Sequence, residues 1–322
     1  MRTPKFLIAA ALAIVAAFFG LQKFKIGGLE SLLIQPRSND PQHKLISTAP
    51  PVARSGDVIR VASFNIQVFG EEKLTKPSVM DLLARMVRRF DVVAIQEVRA
   101  KSQDVLPEFV NLINANGGHY DFVIGPRLGR TSSKEQYAFI YDRASVEIDR
   151  TQLYTVDDPD DLLHREPLVG WFRVRGPQPD QAFTFTLVNI HTDPDEVPHE
   201  MNALDDVFRA VRDDGRGEDD VILLGDLNAD DRHLGQLGQV SGITWVISNM
   251  PTNTHGTQQY DNLLFQEQAT LEFTGRGGVF DFLREYNLSL QEALEVSDHL
   301  PVWAEFSIYE GGVPGRIATK PR

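Results

Sequence analysis

The chain contains no cysteine. That absence excludes disulfides, thiolate zinc centres and a cysteine nucleophile, while leaving the redox compartment open. Positive charge is also scarce: 32 Lys and Arg stand against 45 Asp and Glu, giving a net charge of −13 over 322 residues. A protein that held nucleic acid by bulk electrostatics would carry the opposite sign. The deficit does not count against an enzyme whose carboxylates hold divalent cations, because a bound cation brings its own positive charge to a phosphate. There is no internal repeat and no low-complexity tract. With 42% hydrophobic and 24% charged residues, composition is ordinary for a globular protein. The length allows two small domains, or one large α/β domain with terminal extensions.

One apolar run is conspicuous. Arg2 and Lys5 precede an unbroken stretch from Phe6 to Leu21, and Lys23 and Lys25 follow it. This pattern reads as a signal peptide or signal anchor over residues 1–26. Ala16 and Ala17 are followed by Phe18, Phe19 and Gly20, which is no clear small-x-small cleavage pattern, so cleavage and retention both stay open. Export is the expectation in either case: secreted, periplasmic, or anchored with membrane association through this segment and the rest of the chain outside the cytoplasm. Residues 27–57, with Pro36, Pro41, Pro50 and Pro51, read as an irregular linker. The folded domain is expected over 58–308, and 309–322, rich in Gly and Pro, as a flexible tail.

From Val58 onward strands and helices alternate. Val58–Asn65 alternates partly, as a strand does. Val79, Leu82, Leu83, Met86, Val87 and Phe90 share one helical face, with Pro77 near the first turn. Asp91–Ile95 is a buried-strand run, and a helix over Val105–Asn116 should stop at Gly117-Gly118. Further strands are expected at Asp121–Ile124, Tyr137–Tyr141, Leu168–Val174, Phe183–Asn189, Val221–Leu224, Asn262–Phe265 and Val302–Ser307. A helix near Pro198–Arg212 would bury Met201, Leu204, Val207, Phe208 and Val211. One α/β domain accounts for all of these elements.

Polar residues gather where apolar strands end, at positions a rigid sheet can hold at the mouth of a cleft. Five places stand out: Ser63-Phe64-Asn65-Ile66, Ile95-Gln96-Glu97-Val98-Arg99, Asn189-Ile190-His191, Gly225-Asp226-Leu227-Asn228 and Ser297-Asp298-His299. Each alone is a weak signal, since a carboxylate ending a strand is usually a turn former or a cap. Their joint order is a strong one. From about Val58 to Ser307 the chain resembles the endonuclease/exonuclease/phosphatase superfamily. Three stretches look specifically like deoxyribonuclease I: Phe64-Asn65-Ile66-Gln67-Val68-Phe69-Gly70, the segment Leu128 to Tyr137, and Arg165-Glu166-Pro167. The resemblance implies an α/β four-layer sandwich, with two mixed β-sheets packed face to face, helices on the outside and the active site at one edge.

Hydrolysis of a phosphodiester needs an activated water, charge neutralisation on the phosphate and stabilisation of the leaving oxygen. Glu97 fits a principal metal ligand with Asn65 beside it; the competing reading is an ion pair between Glu97 and Arg99. Hard oxygen ligands suit Mg2+ or Mn2+, and Ca2+ as well. Asp226 fits the group that orients or deprotonates the attacking water, and Asn228 a donor to a phosphate oxygen. His191 and His299 are the acid/base or phosphate-binding imidazoles, each needing a carboxylate to orient it. By resemblance Glu135 pairs with His191 and Asp261 with His299, leaving Asp298 as a further metal ligand. Arg99 and Arg165 match phosphate-holding positions, and Tyr260 precedes Asp261 as in the family. His255 earns no role.

Two departures stand out. Gln67 occupies a position where the family usually has an arginine, and Ser133 one where it has a tyrosine that packs against the sugar in the minor groove. Both losses bear on tight duplex binding and leave the chemistry intact. The expected activity is metal-dependent, low-specificity endonucleolytic cleavage of DNA, in duplex form, by a monomer. Two alternatives stay open: a phosphodiesterase of the same fold acting on a phospholipid or other small phosphate ester, and a non-catalytic binding module.

Overall fold

A computed structural model describes residues 56–131 and 134–312. Residues 1–26, expected to be a signal peptide or signal anchor, nearly all of the expected 27–57 linker, Ser132, Ser133 and the residues from 313 lie outside the described residues. Among the described residues no helix is long and apolar enough to cross a membrane.

The strands in chain order are β1 (Val58–Phe69), β2 (Val92–Val98), β3 (Tyr120–Ile124), β4 (Gln136–Asp142), β5 (Val146–Thr155) and β6 (Leu168–Val174). They continue with β7 (Thr184–His191), β8 (Val221–Asp226), β9 (Ile243–Trp245), β10 (Asp261–Gln266), β11 (Phe273–Val279) and β12 (Val302–Ser307). They build two six-stranded sheets, ordered β11-β12-β1-β2-β4-β3 and β5-β6-β7-β8-β10-β9. Each sheet has a parallel pair at its centre, β1 with β2 and β7 with β8, and antiparallel pairs elsewhere. The helices are α1 (Glu71–Leu74), α2 (Pro77–Val87), α3 (Val105–Asn114), α4 (Val197–Arg212), α5 (Phe282–Glu285) and α6 (Leu290–Val296). The expected architecture of two mixed sheets with flanking helices is the observed one.

Strand periodicity explains how the layers are stitched. In β8, Val221 and Leu223 pack with Met201, Leu204, Val207 and Phe208 of α4, whereas Ile222 and Leu224 join the core between the sheets. In β7, Val188 and Ile190 face α4 while Phe185 and Leu187 face the other sheet. Aromatic pairs cross the interface: Phe139 of β4 with Phe172 of β6 at 5.4 Å, and Phe265 of β10 with Phe306 of β12 at 5.9 Å between centroids. Alternate residues of a strand share a face, so Asn189, His191, Asp226 and Asp261 all fall on the inter-sheet side. Asn189 ties the sheets together there: its Nδ2 donates to Ile95 O and Ala138 O, both at 3.1 Å, and its Oδ1 accepts from Gln96 Nε2 at 2.6 Å.

The structure adds elements that the sequence pattern conceals. Strand β5 (VEIDRTQLYT) is polar and, after Val146, half-buried or exposed throughout, so it has no buried run to announce it. Strand β11 carries Gly275, Gly277 and Gly278, which depress strand propensity. Helix α6 had a legible signal: Ser289 and Glu292 form a reciprocal capping box, the S-x-x-E signature.

Candidate active site

At one end of the sandwich the inter-sheet face passes from apolar to polar. Asp226 ends β8, next to His191 ending β7, and the two are directly paired across the parallel ladder. Asp261 begins β10 and is paired with Asp226 on its other side. Gly225 permits this closeness: its φ is +156°, and a Cβ built on it would lie 1.9 Å from Ile190 O. No side chain fits there. From the opposite sheet come Asn65 of β1, Glu97 of β2 and, before β12, Asp298 and His299.

Asp226 is the hub. Its Oδ2 lies 3.5 Å from His191 Nε2 and 3.4 Å from His299 Nε2, and accepts from Asn65 Nδ2 at 3.0 Å. Each imidazole has a carboxylate on its far nitrogen: Glu135 Oε1 at 2.6 Å from His191 Nδ1, and Asp261 Oδ2 at 2.9 Å from His299 Nδ1. Thr252 Oγ1 donates to Asp261 Oδ2 at 2.7 Å and so orients it. Asn65 Nδ2 also reaches Glu97 Oε1 at 3.3 Å, and Glu97 Oε2 accepts from Val68 N at 2.8 Å. The Glu97–Arg99 ion pair is present too, at 3.1 Å. Tyr260 stacks obliquely near His299, with centroids 5.7 Å apart.

Burial and charge oppose one another here. Burial alone would lower His191, but Glu135 and then Asp226 hold its proton and raise it above its ordinary value. His299 is likewise opposed by burial, yet Asp261 and Asp226 push it up to about 10. Burial would raise Glu135, but His191, Arg165 and Arg99 bring it below the usual carboxylate range. Burial raises Asp261, only partly offset by His299 and Thr252. Each carboxylate therefore favours the charged form of the imidazole it touches.

All twelve residues anticipated from the sequence join one connected constellation, though not all in the anticipated manner. Arg165 is buried; its Nε lies 3.3 Å from Glu135 and 3.1 Å from His191 O, and its Nη2 donates to Thr192 O at 3.1 Å. Those donors position the Glu135–His191 pair, so any phosphate contact must come from the rest of the guanidinium. Arg99 Nη2 reaches Glu135 Oε2 at 3.5 Å from a more exposed position. Asn228 turns its amide to Thr192 O at 2.9 Å, and its backbone N–H donates to Asp226 Oδ1 at 2.9 Å. Asp298 stands at the rim, 43% exposed, with Oδ1 4.0 Å from His299 Nε2.

Several contributors carried no role in the sequence reading. Ser297 Oγ donates to Asn65 O at 2.7 Å and accepts from His299 N at 3.0 Å, linking two motifs. Tyr137 Oη accepts from His191 N at 2.9 Å. Lys73 is buried, and its ammonium donates to Ile66 O, Gln67 O and Val296 O, each at 2.7 Å. It braces a strained bulge: Gln67 and Val68 have φ of 36° and 50°, and Glu97 opposite has 60°. A β-branched residue at positive φ is rare, and such strain concentrates at functional sites. Burial lowers Lys73 to about 8, against the pull of Glu97 and Asp298.

The donor set fits a hard divalent cation. Glu97, Asp226 and Asp298 offer carboxylate oxygens, and Asp261 keeps a buried Oδ1 without a hydrogen-bond partner; Asn65 turns its Nδ2 toward Glu97 and Asp226 while its Oδ1 accepts from Gln67 N at 2.9 Å. Ligand atoms of Glu97, Glu135 and His191 lie within 4.8 Å of one another, as do those of Asp226, Asp261 and His299. Oxygen-rich sites of this kind select Mg2+, Mn2+ or Ca2+ over softer ions.

Comparison with known proteins agrees with this geometry. The model of the Endonuclease/Exonuclease/phosphatase family matches residues 62–299. Deoxyribonuclease gamma of Rattus norvegicus is 32% identical over 261 residues, covering 76% of this chain and 83% of its own. Deoxyribonuclease-1-like 1 of Mus musculus is 34% identical over 267 residues, covering 78% and 81%. A solved endonuclease/exonuclease/phosphatase family protein from Bacteroides thetaiotaomicron superposes with a TM-score of 0.53 at 18% identity, over 78% of this chain and 98% of its own. At that identity the last likeness concerns the fold alone.

Proposed function

The chain belongs to the endonuclease/exonuclease/phosphatase family, and from that premise we propose that it is a metal-dependent endonuclease hydrolysing DNA phosphodiester bonds with little sequence preference. The observation that carries this reading is the single carboxylate of Asp226 set between two imidazoles, each backed by its own carboxylate. The relatives named as deoxyribonucleases, at 32% and 34% identity, support DNA as the substrate.

In this reading Asp226 orients a water against the phosphorus and accepts its proton as the new P–O bond forms. The two imidazoliums, held charged by Glu135 and Asp261, divide the remaining duties. One hydrogen-bonds a non-bridging phosphate oxygen; the other gives its proton to the leaving oxygen as the old P–O bond breaks. Asn65, Glu97 and Asp298 would hold Mg2+ or Mn2+, which supplies charge neutralisation at the phosphate. Arg99, Asn228 and Tyr260 line the approach and contact the substrate, with Arg165 contributing mainly by positioning Glu135. We further take the protein to act outside the cytoplasm, on the strength of the apolar run at Phe6–Leu21, and as a monomer from family habit alone.

Gln67 and Ser133 favour a second reading, because neither supplies the arginine or aromatic ring that would grip a duplex groove: a phosphodiesterase acting on a phospholipid or small phosphate ester. Incubation with supercoiled plasmid in Mg2+ and Ca2+, against an EDTA control, tests the first. Chelator-sensitive nicking is expected. Hydrolysis of a phospholipid with plasmid left intact would select the second. Undiminished nicking by His191→Ala or His299→Ala would remove the assigned roles.

A further inference from the structure

The end of β8 remote from Asp226 carries an acidic cluster that phosphodiester hydrolysis does not use. Asp220 precedes β8, Glu272 precedes β11, and Glu310 lies in the turn that follows β12. One oxygen of each lies within 4.8 Å of the others. Two oxygens bound to a common Ca2+ at about 2.4 Å can be no more than about 4.8 Å apart, so the trio meets the distance limit for a shared ion. Asp220 and Glu272 are only 1% and 2% exposed. Among the described residues, none of the three has a cationic partner.

The backbone donors reach the cluster from its edges, and Asp220 and Glu272 turn their carboxyl groups toward each other. Glu310 Oε2 accepts from Thr184 N, and Glu272 Oε1 from Gly311 N. Glu218 is occupied at the side, accepting from Asp220 N at 3.0 Å and from Trp171 Nε1 at 2.9 Å. Asp220 Oδ1 and Glu272 Oε2 are buried with no partner. A neutral group makes the same point independently: Thr270, 2% exposed, turns its hydroxyl toward Asp220 and finds no hydrogen-bond partner. A buried hydroxyl left unsatisfied costs free energy, and an oxygen beside the buried carboxylate of Asp220 is suited to a cation held by that group. Without an ion the cluster must hold protons instead; burial and the neighbouring carboxylates push Glu310 up to about 7.

We propose that Asp220, Glu272 and Glu310, with Thr270 Oγ1, form a calcium site that ties β8 of one sheet to β11 and β12 of the other. Three carboxylates and a hydroxyl exceed what Mg2+, which keeps several waters, usually takes from protein, and irregular geometry suits Ca2+. The site lies about 20 Å from Asp226, six residues of extended strand at about 3.3 Å each. The two metal sites can therefore be titrated separately.

The test uses the full chain, the double variant Asp220→Asn/Glu272→Gln and the single variant Glu310→Gln. Calorimetric titration with CaCl2 should show one more Ca2+ bound by the wild type than by the double variant. Saturating Ca2+ should raise the wild-type Tm by roughly 5 °C or more; the double variant should lose this rise, and Glu310→Gln should need about ten times more Ca2+ to reach it. Tb3+ provides a second readout, since Trp171 adjoins the cluster: luminescence excited through tryptophan should persist in Glu97→Gln and vanish in Trp171→Phe. Equal stoichiometry and equal Ca2+-dependent Tm rises in wild type and double variant would overturn the site. Should the double variant not fold, a Tb3+ signal unchanged by Trp171→Phe would overturn it instead.

Discussion

Replacing Gly225 by alanine adds one methyl group at the rung where Gly225 of β8 faces Ile190 of β7. The new Cβ would sit 1.9 Å from Ile190 O, whereas close carbon–oxygen contacts reach about 3.3 Å. The strands must therefore separate by about 1.4 Å at this rung. The next rung is His191 with Asp226, whose Nε2–Oδ2 separation of 3.5 Å would open toward about 5 Å if the shift is fully transmitted. A misplacement of about 1 Å in a catalytic group costs on the order of 100-fold, or about 2.7 kcal/mol of barrier. Overpacking should cost a further 1–3 kcal/mol or so of stability. The assay pairs initial rates of plasmid nicking with urea unfolding. Gly117→Ala is the control, since Gly117 also has positive φ (+83°) but open space around its Cβ; it should lose about 1 kcal/mol of stability and keep its rate. A Gly225→Ala protein with wild-type rate and stability would show that strand separation at this glycine does not set the Asp226–His191 geometry.

Two further outcomes follow from the same site. Asp261→Asn removes the charge that lifts His299 to about 10, so the imidazole loses its proton at lower pH. The alkaline limb of the rate profile should move down, with kcat reduced roughly 10²- to 10⁴-fold; an unmoved limb would contradict the pairing. Lys73 is lowered to about 8 by burial, so between about pH 8 and 10.5 the unfolded chain binds more protons than the folded one. Stability from this group is thus least below pH 8 and is recovered as pH rises toward 10.5, by roughly 3 kcal/mol at most. Unfolding free energies of wild type and Lys73→Met should therefore converge or diverge with pH in that window only, the wild type gaining; parallel curves would refute the depressed value.

Much of the fold was legible wherever burial imposes a pattern. Strands β2, β6, β8 and β12 are apolar runs because both their faces are covered, and α4 shows a single apolar stripe because it covers Val188, Ile190, Val221 and Leu223. Strands β5 and β11 escaped notice because one is polar and the other glycine-broken. They are held by neighbours rather than by their own preference. In the site, motif order was enough to gather Asn65, Glu97, His191, Asp226 and His299 as one set. It could not reveal Ser297 as the link to Asn65, Thr252 as the support of Asp261, or Lys73 as the brace of the Gln67–Val68 bulge, since the first joins segments far apart in the chain and the other two depend on how a loop turns back on itself.

What the sequence by itself determined was chemistry and periodicity: no thiol, an oxygen-rich and imidazole-bearing set of strand ends, and alternation that commits each side chain to one face of its sheet. Those properties are local, being written in residue type and in the two-residue repeat of extended backbone. Tertiary structure alone decided that Ser297 joins Asn65, that Arg165 is turned inward onto Glu135, and that Asp220, Glu272 and Glu310 meet. Such pairings depend on the order of strands and the separation of two sheets, which arise when distant segments pack and which no single segment encodes.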